Sequence, residues 1–167
     1  MITIGIDPGG KYTGLSVRDG DKCLLSSTFV KPDDVPPISW AVQVATLVKE
    51  VVDQYPGAKI GIEGVTVPNA YNQGKLALNS PKYIIRTAIV VGALAVQYPD
   101  AVIVRPGKNG SQPINMYPDA LQGRRPKELA GSNNNAGTRN HERSAWDIAG
   151  EVEFLLGQNV NLDSHLN

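Results

Sequence analysis

The sequence predicts an α/β layer fold: a mixed five-stranded sheet flanked by helices. Three observations point to it. Three short runs of alternating apolar residues follow one another closely at the start of the chain, as in an antiparallel meander. Two later apolar runs of strand length each follow a helical pattern, so they return beside the first strand in parallel. A last amphipathic pattern supplies a closing helix.

The first strand is Ile2 to Asp7. Ile2, Ile4 and Ile6 alternate with Thr3 and Gly5, giving one strongly apolar face, and Asp7 stands at its end. Pro8-Gly9-Gly10 then forces a turn. Gly14 to Arg18 and Lys22 to Val30 read as the second and third strands, and Lys31 to Pro37 as a proline-rich loop. Ser39 is the expected N-cap of a helix from Trp40 to about Gln54, with Val44, Leu47, Val48 and Val51 on one face. Tyr55-Pro56-Gly57 ends it. The fourth strand, Lys59 to Val65, carries Glu63 near its end, and Thr66 to Asn79 is a polar loop. Ser80-Pro81 starts a helix that runs to about Gln97. It is apolar enough that burial on more than one side is expected, in the domain core or, equally, at a dimer interface. Ala101 to Val104 is the fifth strand.

Arg105 to Arg139, rich in Gly, Pro and Asn, reads as a basic and mostly mobile loop with a short helix at Tyr117 to Gln122. Asn140 caps a final helix from His141 to about Leu156, packed through Ala145, Ile148, Ala149, Val152 and Leu155. One domain over residues 1–157 and a frayed polar tail over 158–167 follow from this.

Sixteen Lys and Arg balance sixteen Asp and Glu, so the whole-molecule field gives no pointer to nucleic acid. The distribution does: Arg105 to Arg143 holds 7 basic and 3 acidic residues, whereas the chain from Ser144 has 4 acidic and none basic. The single cysteine, Cys23, excludes an internal disulfide and a cysteine-based zinc site, and reads as a core thiol. No basic n-region precedes a long apolar stretch, and no apolar run approaches a membrane span. A cytoplasmic protein without a membrane partner is expected.

Asp7 and Glu63 carry the chemistry. If their strands are parallel neighbours, both carboxylates emerge at one edge of the sheet, and the final helix can bring a third group. Two like charges held together call for a cation between them. Mg²⁺ suits this role, because it takes hard oxygen ligands and leaves positions for phosphate oxygens and water. Two such ions could activate a water and stabilise the leaving oxygen in phosphodiester hydrolysis.

Ile4-Gly5-Ile6-Asp7-Pro8-Gly9 with Thr13-Gly14, then Ile62-Glu63-Gly64-Val65, then His141-Glu142-Arg143-Ser144-Ala145-Trp146-Asp147-Ile148-Ala149 resembles the RuvC family of Holliday-junction resolvases, in the ribonuclease H-like superfamily. Size and element order agree over nearly the whole chain, and the loose match looks like a phage-encoded or otherwise divergent member. The resemblance implies a Mg²⁺- or Mn²⁺-dependent endonuclease with two ions per site. It implies a homodimer that resolves four-way DNA junctions by paired symmetric nicks, in a bacterial cytoplasm or in that of a phage host. Asp7 and Glu63 match the family's first two acidic positions. On the last helix the family pattern has Asp or His followed three residues later by Asp. Here His141 falls at the first of these and Ser144, a poor Mg²⁺ ligand, at the second. The expected catalytic set is therefore Asp7, Glu63, His141 and Asp147, with Asp7, Glu63 and Asp147 on the metal and Glu142 and Ser144 in reserve.

Junction binding needs phosphate neutralisation. Lys75, Lys82 and Arg86, with Arg105, Lys108, Arg124, Arg125, Lys127 and Arg139, are the candidates, and Tyr71 could stack on an unpaired base. A branched-DNA or flap endonuclease of the same fold would use the same residues. The opening motif also resembles the first phosphate loop of actin-like ATPases, which need a second lobe and an adenosine-binding motif that a chain of this length has no room for. A binding module that has lost catalysis is the remaining reading.

Overall fold

Alternation in the first strands decides where every other element goes. The computed structural model describes residues 1–65, 81–107, 109–123 and 139–163, with side chains through Gly157. Strands β1 (Ile2–Asp7), β2 (Tyr12–Asp19) and β3 (Lys22–Val30) form the meander. Helix α1 (Pro37–Val52) leads to β4 (Lys59–Glu63), and α2 (Pro81–Gln97) leads to β5 (Val102–Val104). Two single-turn 3-10 helices, Ile114–Met116 and Asp119–Leu121, precede α3 (Asn140–Asp163). The sheet order is β3-β2-β1-β4-β5, with β1 and β4 parallel and β4 and β5 parallel, as the crossovers require.

One face of the sheet is aliphatic. Ile4, Ile6, Leu15, Val17 and Ile62 are wholly buried there, against Trp40, Val44 and Val48 of α1 and Val90 and Leu94 of α2. Each such side chain contributes about 1.5–3 kcal/mol on leaving water. The other face is nearly bare. Gly5 of β1 stands beside Gly61 of β4, and Gly14 pairs with Asp7 across the β1–β2 ladder. Helix α3 lies directly on these glycines. A Cβ at Gly5 would collide with the Ala145 carbonyl and lie 2.7 Å from Ala149 N. A Cβ at Gly14 would collide with the His141 backbone, and one at Gly61 with Val152. The glycines thus let α3 approach more closely than any strand with side chains would allow. Arg18 fixes the helix along the sheet: its Nε donates to Glu153 Oε2 at 3.0 Å, and its guanidinium lies over the Trp146 ring.

Several boundaries differ from expectation. Helix α1 begins at Pro37, three residues early, because Pro36 and Pro37 preset the first turn; no side chain caps it, so Ser39 lies inside the helix. Helix α2 is not enclosed. Only Val90 and Leu94 are fully buried, whereas Ile85, Ala88, Gly92 and Val96 form an exposed stripe. Helix α3 continues through Gly157 to Asp163, into the stretch expected to fray, since one glycine costs only about 1 kcal/mol and no proline follows. The short helix expected at Tyr117 to Gln122 is instead the two 3-10 turns. Around them, Tyr117 and Leu121 are buried against Trp146, with Cys23 packed beside them. Among the described residues, no helix is long and apolar enough to cross a membrane.

Candidate active site

The C-terminal ends of β1 and β4 carry the two carboxylates. The parallel register runs to Ile6 beside Ile62, so Asp7 and Glu63 leave the sheet side by side. Both project onto the glycine face, two residues on from Gly5 and Gly61. Their carboxyl groups lie within hydrogen-bonding reach of each other. Partial burial, with the neighbouring Asp7 charge adding to it, pushes Glu63 up to about 6. Asn109 and the Gly107 amide counter this by donating to Glu63; the Asn109 Nδ2 contact with Oε1 is 2.7 Å.

The turn after β1 is held rigid from three directions. The Gly9 N–H donates to Thr13 Oγ1 at 3.2 Å, and the Gly9 carbonyl accepts from Trp40 Nε1 at 3.0 Å. Arg86 of α2 packs so close to Gly10 that a Cβ there would strike it. Asp7 therefore sits on a fixed corner rather than a loose loop.

Helix α3 delivers the third group. Because its first turn rests on Gly14, the His141 ring reaches Asp7, with Nδ1 2.9 Å from Oδ2. The carboxylate only accepts, so Nδ1 carries the proton, and in the neutral ring Nε2 is the acceptor. Tyr12 stacks on the same ring, centroids 5.4 Å apart, and fixes its plane. The positive end of α3 also favours a carboxylate at this position.

The fold does not bring Asp147 to this cluster. His141 and Asp147 are six residues apart, roughly 120° around the helix. Asp147 instead accepts from Gly110 N at 2.7 Å, Tyr117 OH at 2.9 Å and Gln112 Nε2 at 2.8 Å. Burial raises its pKa against the lowering effect of these donors. Glu142 is fully buried on the β3 side, bonded to Arg139, Ser26 and Thr28. Ser144 is buried with Gly110 against its backbone. Among the described residues, no group of three or more His, Cys, Asp or Glu is gathered for a metal ion.

The donor set fits one hard cation at the Asp7–Glu63 pair, where its charge would relieve the repulsion that lifts Glu63. A second ion would have only Asp7 and the nitrogen donor His141 on this side.

Of the expected DNA contacts, Lys82 is exposed in the first turn of α2, Arg86 lies beside Gly10, and Arg105 is exposed just past β5. Arg139 faces inward, 2.8 Å from Glu142, and is spent on the protein interior. Tyr71, Lys75, Lys108, Arg124, Arg125 and Lys127 lie outside the described residues. A cavity of about 360 Å³ between Gly57–Ile60 and Gln97–Ala101 opens at the opposite end of the sheet, away from the carboxylates.

Asn109 and Tyr12 were not found from sequence. The Asn109-Gly110 pair signals only a turn, and Tyr12 reads as one more strand residue.

No family model and no curated protein matches this chain in sequence. Solved structures do match it in fold. Thermus thermophilus RuvC in complex with Holliday junction substrate superposes with a TM-score of 0.59 at 16% identity, over 89% of this chain and 90% of that one. A further Thermus thermophilus RuvC structure gives 0.52 at 19% identity, over 89% and 91%. This chain has a RuvC-like fold. The mixed five-stranded α/β fold expected from sequence is thereby established, and the likeness covers 89% of the chain.

Proposed function

We propose that the protein is a metal-dependent endonuclease that resolves four-way DNA junctions. The observation that carries this reading is Asp7 at the end of β1 of a RuvC-like fold, paired with Glu63 on one side and with His141 Nδ1 at 2.9 Å on the other. The likeness to a RuvC structure that holds Holliday junction substrate supports branched DNA as the partner.

In this reading Asp7 and Glu63 hold Mg²⁺ or Mn²⁺, and the bound metal supplies an activated water and neutralises charge on the scissile phosphate. A second ion would be held by Asp7 and by His141 through Nδ1, in place of the proton that now lies between them, and would neutralise further charge on the phosphate. Because one of those donors is an imidazole, Mn²⁺ suits the site better than Mg²⁺. With that proton in place instead of a second ion, His141 is oriented by Asp7 and Tyr12 so that Nε2 can accept or return a proton at the reacting oxygen. Arg86, Lys82 and Arg105 contribute to phosphate binding around Asp7. Paired nicks need two such sites, and the exposed apolar stripe Ile85–Ala88–Gly92–Val96 of α2 offers a surface for a second copy.

The test is cleavage of a labelled synthetic four-way junction beside a flap and a linear duplex, with Mn²⁺ or Mg²⁺. Junction nicking that Asp7→Asn abolishes while binding persists supports the reading. Equal cleavage of the linear duplex contradicts the resolvase assignment, and preferred flap cleavage would make it a flap endonuclease.

A further inference from the structure

The segment from Asn109 to Gly123 has little regular structure, yet α3 grips it at both ends. Arg143 donates from Nε to the Leu121 carbonyl at 2.9 Å and from a terminal nitrogen to the Gly123 carbonyl at 3.1 Å, and lies over the Tyr117 ring. Asp147, one helical turn on, takes the other end through Gly110, Gln112 and Tyr117. Tyr117 is itself fixed, since its hydroxyl also accepts from Gln112 N at 3.2 Å.

The contact at Gly110 matters most. Gly110 has φ +76°, a backbone conformation that disfavours other residues, and a Cβ there would lie 3.0 Å from Asn140 O and 3.1 Å from Ser144 N. The backbone therefore lies flat on α3, with its N–H aimed at Asp147. That N–H belongs to the Asn109–Gly110 peptide. Asn109, on the other side of the same peptide, donates to Glu63. Asp147 and Glu63 are thus joined through one peptide unit and the short Asn109 side chain attached to it.

We infer that Asp147 is a positioning residue: it latches the Asn109–Gly123 segment onto α3 and so holds the Asn109 amide on Glu63. The carboxylate that the sequence suggested as a metal ligand acts instead on the orientation of one. Its effect on metal affinity rests on the function proposed above; the latch itself does not.

Two measurements on the full chain separate these. In metal-free protein, hydrogen exchange at the Gly110 amide should quicken by roughly tenfold or more in Asp147→Asn, since a charge-assisted bond is lost. Tyr117→Phe should move it in the same direction by less, while amides of Ile4 and Val17 stay protected. In calorimetric titration with Mn²⁺, Asp147→Asn and Asn109→Ala should each weaken binding by roughly tenfold, as loss of a group orienting a ligand does. The double variant should bind no more weakly than either single one. Unchanged Gly110 exchange in both variants overturns the latch. Loss of all Mn²⁺ binding in Asp147→Asn, with Asn109→Ala behaving as the parent protein, makes Asp147 a ligand and overturns it too. If the parent chain binds no Mn²⁺ and nicks no junction while Gly110 exchange still responds, the function fails and the latch stands.

Discussion

Replacing Glu63 with glutamine removes a charge while keeping the shape and one acceptor oxygen, and gives the N–H donor that only the protonated carboxyl has. The Gln oxygen still accepts from Asn109, and its amide can donate to Asp7. Folding moves the Glu63 pKa from an ordinary 4.5 to about 6, through burial and the facing Asp7 carboxylate. The folded protein therefore holds this proton more tightly than the unfolded chain. No penalty exists well below pH 4.5, where the group is protonated in both states. The penalty grows between 4.5 and 6 and is complete above 6. The full conversion is about 2 kcal/mol. The carboxyl keeps contact with water, and screening reduces this to about 1 kcal/mol. In the presence of a chelator at pH 8, Glu63→Gln should therefore melt about 2–4 °C above the parent protein. At pH 4 the two should coincide. Mn²⁺ should raise the melting temperature of the parent chain and not that of the variant. Thermal melts across this pH range check the reasoning. A variant less stable than the parent at every pH would refute it, because Glu63 would then be a structural ion-pair partner rather than a strained ligand.

Gly5→Ala should destabilise the fold by about 3 kcal/mol, measured by urea denaturation, because the new methyl meets the α3 backbone rather than a flexible side chain. It should also lift His141 away from Asp7, and so lower nicking more than junction binding. Arg139→Met should cost about 3 kcal/mol by removing a cation bonded to the buried Glu142 carboxylate, and adding Glu142→Gln should restore much of that. His141→Ala should lower the nicking rate by about 10²–10⁴-fold with junction affinity retained in gel-shift assays. Mn²⁺ should support a higher rate than Mg²⁺ in the parent protein.

The strands and the two carboxylates were legible because period-two alternation needs no tertiary information. Ile2, Ile4 and Ile6 declare one buried face, and the residues between them, Thr3, Gly5 and Asp7, belong to the other by necessity. The order of helices and strands then fixed the parallel pairing that brings Glu63 to Asp7. The glycines were legible only as turn and flexibility signals. Their shared purpose, the seat of α3, appears only when the strands are laid side by side. For α2, apolar content says that surface wants covering and not what covers it, so core and dimer interface are equal readings of the sequence, and within one chain a stripe stays exposed. Asp147 was misplaced because a helix fixes angles between its residues but not its rotation on the sheet. Gly5, Gly14 and Gly61 set that rotation with Ala145, His141 and Val152 facing down, which carries Asp147 round to the Asn109–Gly123 segment. That segment has neither alternation nor helical period, so nothing in its sequence announced Asn109.

The most direct test of the account is a crystal structure of the protein soaked in Mn²⁺, read by anomalous scattering. The account predicts a peak coordinated by Asp7 and Glu63, with any second peak at Asp7 and His141 and none at Asp147. A peak on Asp147, or no ordered Mn²⁺ at Asp7 and Glu63 under conditions where junctions are nicked, would contradict it.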